Sequence, residues 1–507
     1  MSNFNKNKLL ELIIDIAPGR GTAEHESNDD SAFLKNFLPV PDYRRALEPD
    51  ILLILGGRGV GKTELFRLLA IETGRATLVQ NLGIRALPSL DKTTWIAAFG
   101  RIRQKEKTFP TPEAVEAQMK NASNIDWRAF WIGLMLGIIL RHSSRASSGA
   151  LNTKWAEEIS LETREALVNR LPLLSEWLPL VRHEIEKMNY ALDLLDEKLL
   201  EADEWLFVTY DELDRLVSFY NELSTPIREL LAFWLDKWRR WERIRPKIFL
   251  RTDLFREDFL GFPDASKLRA HQINLEWKHL WLYQLLFKRL ANSGSEMTEY
   301  LRIVPNLIND SNTALGITIT PEESLFQSMI EKIIGKFMGA NARKGYTYSW
   351  IPNHLQDAGG RIAPRSFLKL FSLAANRRLD KLSQQDEQMS GTALLMPSDL
   401  QGALMDTSLD RIRELAQEEY PWLEALKINL MGLEVPIQKS KFLEALTATE
   451  WSEQLGKRPP TTKPEEVLKY LLQLGIVESR SDGRINMPEI YLYGFKVKRR
   501  GGIKRPK

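Results

Sequence analysis

Ile51-Leu52-Leu53-Ile54-Leu55-Gly56-Gly57-Arg58-Gly59-Val60-Gly61-Lys62-Thr63-Glu64-Leu65 divides into three parts by chemistry alone. An unbroken aliphatic run suits a β-strand covered on both faces, as in a parallel sheet. The glycines that follow can take left-handed conformations and let a backbone approach a ligand closely. Leu65, Leu68 and Leu69 then recur at helical spacing, so the turn ends at a helix N-terminus. Free amides at such an end favour anions, which makes the turn a cradle for phosphate.

The spacing Gly56-x4-Gly61-Lys62-Thr63 matches the P-loop pattern. On that reading Gly56, Gly57, Arg58, Gly59, Val60, Gly61, Lys62, Thr63 and Glu64 surround the nucleotide, Lys62 reaches the β- and γ-phosphates, and the Thr63 hydroxyl ligates Mg2+. ATP with Mg2+ is the expected pair; ATP over GTP is implied by the family resemblance given below, and its one direct support is the lack of an Asn-Lys-x-Asp stretch of the kind that reads guanine. A second stretch, Trp205-Leu206-Phe207-Val208-Thr209-Tyr210-Asp211-Glu212-Leu213-Asp214, is a hydrophobic strand ending in acids. Asp211 at its tip is suited to the metal shell and Glu212 to orienting and deprotonating a water. Asp214 is open between a further acid of the site and a helix N-terminal residue.

Lys247 to Asp253 reads as another strand, and parallel strands converge on a ligand at their C-terminal tips, which places Arg251 or Thr252 to sense the γ-phosphate. Pro364 suits the first turn of a helix, with Arg365 at its head. Arg365 either folds over the γ-phosphate or is an ordinary surface arginine. Tyr43 and Arg44, just before the first strand, either touch the nucleotide or pack as a surface loop.

A chain of 507 residues holds about three domains. Its 43% hydrophobic and 27% charged content is that of a globular protein. Absence of cysteine excludes disulfides and thiolate chemistry and fits a reducing compartment. With no signal-peptide core at the N-terminus, a cytoplasmic location is expected. The apolar run Ala129 to Leu140 is shorter than the ~20 residues of a membrane span, so no membrane contact is expected and the run reads as a buried helix. Net charge is +3, but Lys496, Lys498, Arg499, Arg500, Lys504, Arg505 and Lys507 are concentrated at one end and leave the remainder mildly acidic. Any contact with nucleic acid must therefore be local.

Along the chain, Gly19 to Ser31 and Gln384 to Thr392 read as polar linkers, Ala76 to Asn81 as a second strand, and Asn306 to Thr320 as a loop. A helical insertion is expected over about 87–204, its tryptophans forming core. Lys237, Arg239, Arg240, Arg243 and Arg245 form a basic cluster, either a solvated face or the source of an arginine for a neighbouring subunit's nucleotide. His271, His279 and His354 lack metal-ligand spacing. From Ile437, two short helices and a hairpin turning at Asp482-Gly483 resemble a winged helix, with the basic tail 496–507 following directly. Such a domain contacts either DNA or protein. The expected division is an N-terminal segment 1–50, a nucleotide-binding core 51–295, a helical lid 296–435, and a winged helix with its tail 436–507.

Together the motif Gly56 to Thr63, the pair Asp211-Glu212 and the arginine-tipped strand at Arg251 resemble the additional-strand P-loop ATPases of the AAA+ and STAND-like branch. The resemblance implies an α/β fold with a parallel sheet, a strand between those bearing the two motifs, Glu212 as catalytic base, a helical lid and a winged helix. Arg251 resembles the sensor-1 arginine of the STAND group, and Pro364-Arg365 the sensor-2 arginine of the lid. The implied function is an ATP-hydrolysing switch acting on a partner protein or nucleic acid. The layout with a large insertion is similar to ATPases of bacterial anti-phage defence systems. Alternatives are a DNA-binding initiator or loader and a nucleotide-stabilised scaffold. A homo-oligomer is compatible with this layout, although no single arginine stands out as a finger.

Overall fold

The computed structural model describes residues 4–17, 29–84, 88–102, 107–144, 150–217, 222–255, 265–309, 314–383, 393–418, 420–454 and 457–501. The chain forms two compact units, one of Glu26–Leu275 and one of Met1–His25 with Glu276–Lys507.

The first unit is built on a five-stranded sheet. Its strands are β1 (Leu53–Gly56), β2 (Thr93–Phe99), β3 (Trp205–Tyr210), β4 (Ile244–Arg251) and β5 (Gln272–Leu275). They run in the order β2-β3-β4-β1-β5, every pair parallel. The aliphatic run is buried throughout, as a central strand requires. Because β4 pairs with both β1 and β3, a strand separates the glycine loop from the acidic tip. The turn into β4 is fixed by Asp196, whose carboxylate accepts the backbone N–H groups of Glu242, Arg243 and Ile244 at 2.8, 2.8 and 2.9 Å.

Two expectations fail here. Ala76 to Asn81 is not a strand but the end of helix Glu72–Leu82. Thr77 and Val79 favour a strand locally, yet Gly74 lets this helix press on the preceding one: a Cβ there would lie 2.5 Å from the Leu68 carbonyl oxygen. The strand beside β3 is instead Thr93–Phe99, inside the stretch 87–204 expected to be helical. Its two alanines blunt the alternation that marks a strand.

Helices Pro112–Met119, Asn124–Ser143, Leu161–Asn169, Leu174–His183 and Ile185–Glu201 fill the rest of the insertion. Asn124–Ser143 contains the apolar run and starts at a capping box between Ser123 and Asp126. Its glycines admit close neighbours: a Cβ on Gly133 would sit 2.3 Å from Trp177 Cζ3, and one on Gly137 2.7 Å from Leu171 Cδ1. Trp131, Trp155, Trp177, Trp234 and Trp241 are fully buried core. No described helix is long and apolar enough to cross a membrane.

The second unit is largely helical. Helix Lys6–Asp15 packs along Pro364–Ser383, which in turn packs on Pro397–Glu418. Arg378 and Asp399, both fully buried, pair at 2.6 Å within that stack. Asn306 to Thr320 is not simply a loop, since β6 (Ile308–Asn309) and β7 (Thr318–Ile319) pair antiparallel. Lys288 anchors the approach to β7: its buried Nζ donates to the carbonyls of Leu315 and Ile317 at 2.8 and 3.3 Å.

Towards the C-terminus come helix Leu423–Leu430, β8 (Glu434–Val435), helices Lys439–Thr447 and Pro464–Gln473, and an antiparallel pair of β9 (Glu478–Ser479) and β10 (Ile485–Asn486) turning at Gly483. Ile437 bridges antiparallel to Ile485 and ties the first strand to the hairpin. The basic tail begins inside the fold rather than beyond it. Lys498–Arg499 is β11, parallel to β8, and Arg499 pairs with Glu489 at 3.2 Å. The linkers expected at Gly19–Ser31 and Gln384–Thr392 lie largely outside the described residues, except that Asp29 caps helix Asp30–Asn36.

Candidate functional site

The C-terminal tips of β1, β3 and β4 meet at one sheet edge, and the loop after β1 shapes it. Gly59 and Gly61 have φ of 74° and 92°, the left-handed region in which a side chain is strained. A Cβ on Gly56 would come within 2.6 Å of Val60 Cγ2, so the loop closes tightly only because that residue is glycine. Helix Lys62–Ala70 starts from Gly61 with no side-chain cap, leaving its first amides directed to a ligand. Lys62 Nζ donates to the carbonyls of Gly56 and Gly57, each at 2.9 Å, which folds the ammonium over the loop. Burial lowers the Lys62 pKa, partly offset by Asp211. Glu64 stands on the first helical turn and Arg58 at the half-buried loop tip.

Asp211 follows β3 and is 3% exposed. Its Oδ2 is buried without a hydrogen-bond partner. Burial raises its carboxyl to about 6, against which the Glu212 amide, the Thr63 hydroxyl and Lys62 favour the charged form. Glu212 is raised to about 7, by burial first and by Asp211 second. Glu212 also has φ 53°, a conformation that costs a non-glycine residue about 1–3 kcal/mol. Two carboxylates in so little water, one with an orphaned oxygen, suit a divalent cation, which reverses such shifts. Among the described residues no group of three His, Asp or Glu side chains holds a metal by itself.

The tip of β2 completes the site. Asp211 N–H donates to Phe99 O at 3.0 Å, and Gly100, with φ 111°, lies so close that a Cβ there would sit 3.2 Å from Asp211 Cβ. The next amide, Arg101 N–H, donates to the Glu212 carboxylate, and the Arg101 charge favours its ionised form. These residues escape a sequence reading that takes the segment as helical; the signal was the apolar run ending at Phe99-Gly100.

Arg251 at the tip of β4 is 5% exposed and faces Gly56 in register. Asp253 holds its guanidinium by two bonds, 3.1 Å from Nε and 2.8 Å from Nη2, and Asp214 lies 3.6 Å from Nη1. Asp214 thus stands in the first turn of the short helix Leu213–Arg215 and also beside the Arg251 guanidinium. Thr252 N–H donates to Gly56 O at 3.3 Å. A strand order of 2-3-4-1-5, the glycine loop after β1 and the acids after β3 define one architecture. The fold is a P-loop nucleotide-binding fold.

No protein-family model matches the sequence of this P-loop protein. No curated protein matches it either. Among solved structures it is similar to the Aeropyrum pernix ORC2 protein in its ADPNP-ADP complexes, at 14% identity and a TM-score of 0.32, covering 92% of this chain and 99% of that one. It is also similar to CDC6P from Pyrobaculum aerophilum, at 14% identity and a TM-score of 0.26, covering 95% and 96%. A third is the Aeropyrum pernix ORC1 protein in complex with DNA, at 14% identity and a TM-score of 0.32, covering 96% and 94%. The fold assignment rests on the strand order and the loop.

Other candidates have structural employment. Tyr43 is buried against Phe37, with its Oη 3.6 Å from where a Gly61 Cβ would be. Arg44 Nη2 donates to Leu82 O at 2.9 Å. In the basic cluster, Lys237 binds Asn189, Arg240 and Trp241 share Asp193, and Arg243 pairs with Asp203 over the Trp205 ring. In the other unit Arg365 opens helix Pro364–Ser383 and pairs with Glu414 at 3.0 Å.

Proposed function

We propose that this protein is a Mg2+-dependent ATPase of the AAA+ and STAND-like kind that works as a nucleotide-driven switch. The observation that carries the proposal is the meeting of Lys62 and Thr63 with Asp211 and Glu212, where a buried carboxylate oxygen has no donor. Gly56 to Glu64 wraps the phosphates by backbone amides, and Lys62 leaves its carbonyl partners for the β- and γ-phosphate oxygens. Thr63 and Asp211 hold the metal ion, which when bound neutralises charge on the phosphate oxygens. Glu212, kept basic near neutrality by burial, orients water and takes its proton. Arg251 and Arg365 are proposed as sensors of nucleotide state.

The output acts on a partner protein or nucleic acid. The C-terminal helix–strand–helix–helix–hairpin succession is read as a winged helix. A role in bacterial anti-phage defence rests on layout alone.

The test is steady-state ATP hydrolysis by wild type, Glu212→Gln and Lys62→Ala, together with binding of a fluorescent ATP analogue. Hydrolysis lost in both variants, with binding kept in Glu212→Gln, supports the proposal. Nucleotide binding without hydrolysis by wild type under every condition favours the scaffold reading instead.

A further inference from the structure

We infer that the hairpin spanning 335–347 in the second unit is a contact for the phosphate backbone of nucleic acid. It is a built element. Gly335 and Gly345, with φ of 121° and 91°, turn the chain out of helix Glu323–Ile333 and into helix Thr347–Leu355. Phe337 and Tyr346 pair across it antiparallel, Met338 N–H donates to Gly345 O at 2.9 Å, and Thr347 N–H donates to Lys336 O at 3.0 Å. Met338 is buried at its root, while Asn341 Oδ1 accepts Arg343 N–H at 3.1 Å and shapes the return. Gly339, Ala340 and Asn341 form a small, exposed tip.

Charge sets this hairpin apart. Lys332, Lys336, Arg343 and Lys344 are all exposed, and no Asp or Glu occurs between Lys332 and Gln356. None of the four forms an ion pair among the described residues. The cluster near Arg240 differs in its acids: Asp193 pairs with Arg240 and Asp203 with Arg243. Clustered like charges with no paired acid repel one another, and such an arrangement suits a polyanion whose counterions it displaces. The side chains are also partly ordered: the Lys344 stem lies across Gly339, and Lys336 Nζ sits 5.9 Å above the Phe337 ring. Preordered cations lose less entropy on binding. Tyr346, 52% exposed beside Phe337, offers a face for stacking on an unpaired base.

This inference stands apart from the nucleotide site, so it survives or fails without reference to ATP hydrolysis. The experiment measures binding of the full chain to a fluorescein-labelled 30-base-pair duplex and a 30-nucleotide single strand by anisotropy, between about 50 and 200 mM salt. It compares wild type, the combined Lys336→Ser, Arg343→Ser and Lys344→Ser variant, and a chain ending at residue 501. Thermal unfolding checks that the exposed substitutions leave the fold intact. The triple variant is expected to bind roughly tenfold or more weakly, with a log–log salt slope shallower by about two to three, whichever strand form binds better. Tyr346→Ala is expected to weaken the single strand more than the duplex. A triple variant with wild-type affinity and slope overturns the inference, as does a wild type that binds neither oligonucleotide at the lowest salt.

Discussion

Arg251 Nη1 lies 3.6 Å from an Asp214 carboxylate oxygen, and this contact ties the tip of β4 to the turn that carries Glu212. The same guanidinium is held by Asp253 through two bonds, so Arg251 is a buried cation shared by two acids. Asp214→Asn is expected to lower kcat several-fold with little change in KM for ATP. In a double-mutant cycle with Arg251→Gln, the two substitutions are expected to couple by roughly 0.5–3 kcal/mol. Additive losses, or a change confined to KM, count against a positioning role for Asp214.

Glu212 is raised to about 7 by burial and by Asp211. A general base acts deprotonated, so kcat is expected to rise with pH through an acid limb. Bound Mg2+ favours the ionised carboxylate, which places the midpoint at or below about 7. Glu212→Gln is expected to cost about a hundredfold or more in kcat and to abolish that limb. A pH–rate profile of the residual activity checks both points.

Lys288 is lowered from 10.5 to about 7 by burial, and its amine keeps two carbonyl partners when neutral. Between those values the unfolded chain binds the proton that the folded chain lacks, so this residue makes stability rise with pH from about 7 towards 10. The slope approaches about 1.4 kcal/mol per pH unit at its steepest. Lys288→Met is expected to flatten the dependence, read from urea unfolding of both proteins across that range.

Gly133→Ala sets two effects against each other. Alanine gains up to about 1 kcal/mol of helix propensity. Its Cβ meets the Trp177 ring at 2.3 Å in a packed core, where overpacking costs about 1–3 kcal/mol. Net destabilisation is expected, measured as a lower denaturant midpoint, whereas Gly83→Ala, with nothing within 4 Å, loses only what its left-handed backbone costs.

The glycine loop and the acidic tip were legible because each is one contiguous run whose chemistry is local. Leu53 to Thr63 carries its strand, its turn and its helix start in a single stretch. The same directness fails at Thr93–Phe99 and at Glu72–Leu82. There the local preference for strand or helix is weak, and packing decides: pairing with β3 in one case, the close approach at Gly74 in the other. The basic cluster was legible only in part. Its charges are visible in sequence, but their acids at Asp193 and Asp203 belong to another helix and its far end.

Sequence alone determined that this chain carries a glycine loop suited to a phosphate and two acids at the end of a strand, because those properties need only residue type and spacing. Tertiary structure alone decided which groups those acids meet. Gly100 and Arg101 arrive at Asp211 and Glu212 through the pairing of β2 with β3, and Asp214 and Asp253 reach Arg251 from two different strand ends. Charge interactions depend on distance and burial, and both are set by how strands far apart in the chain come side by side.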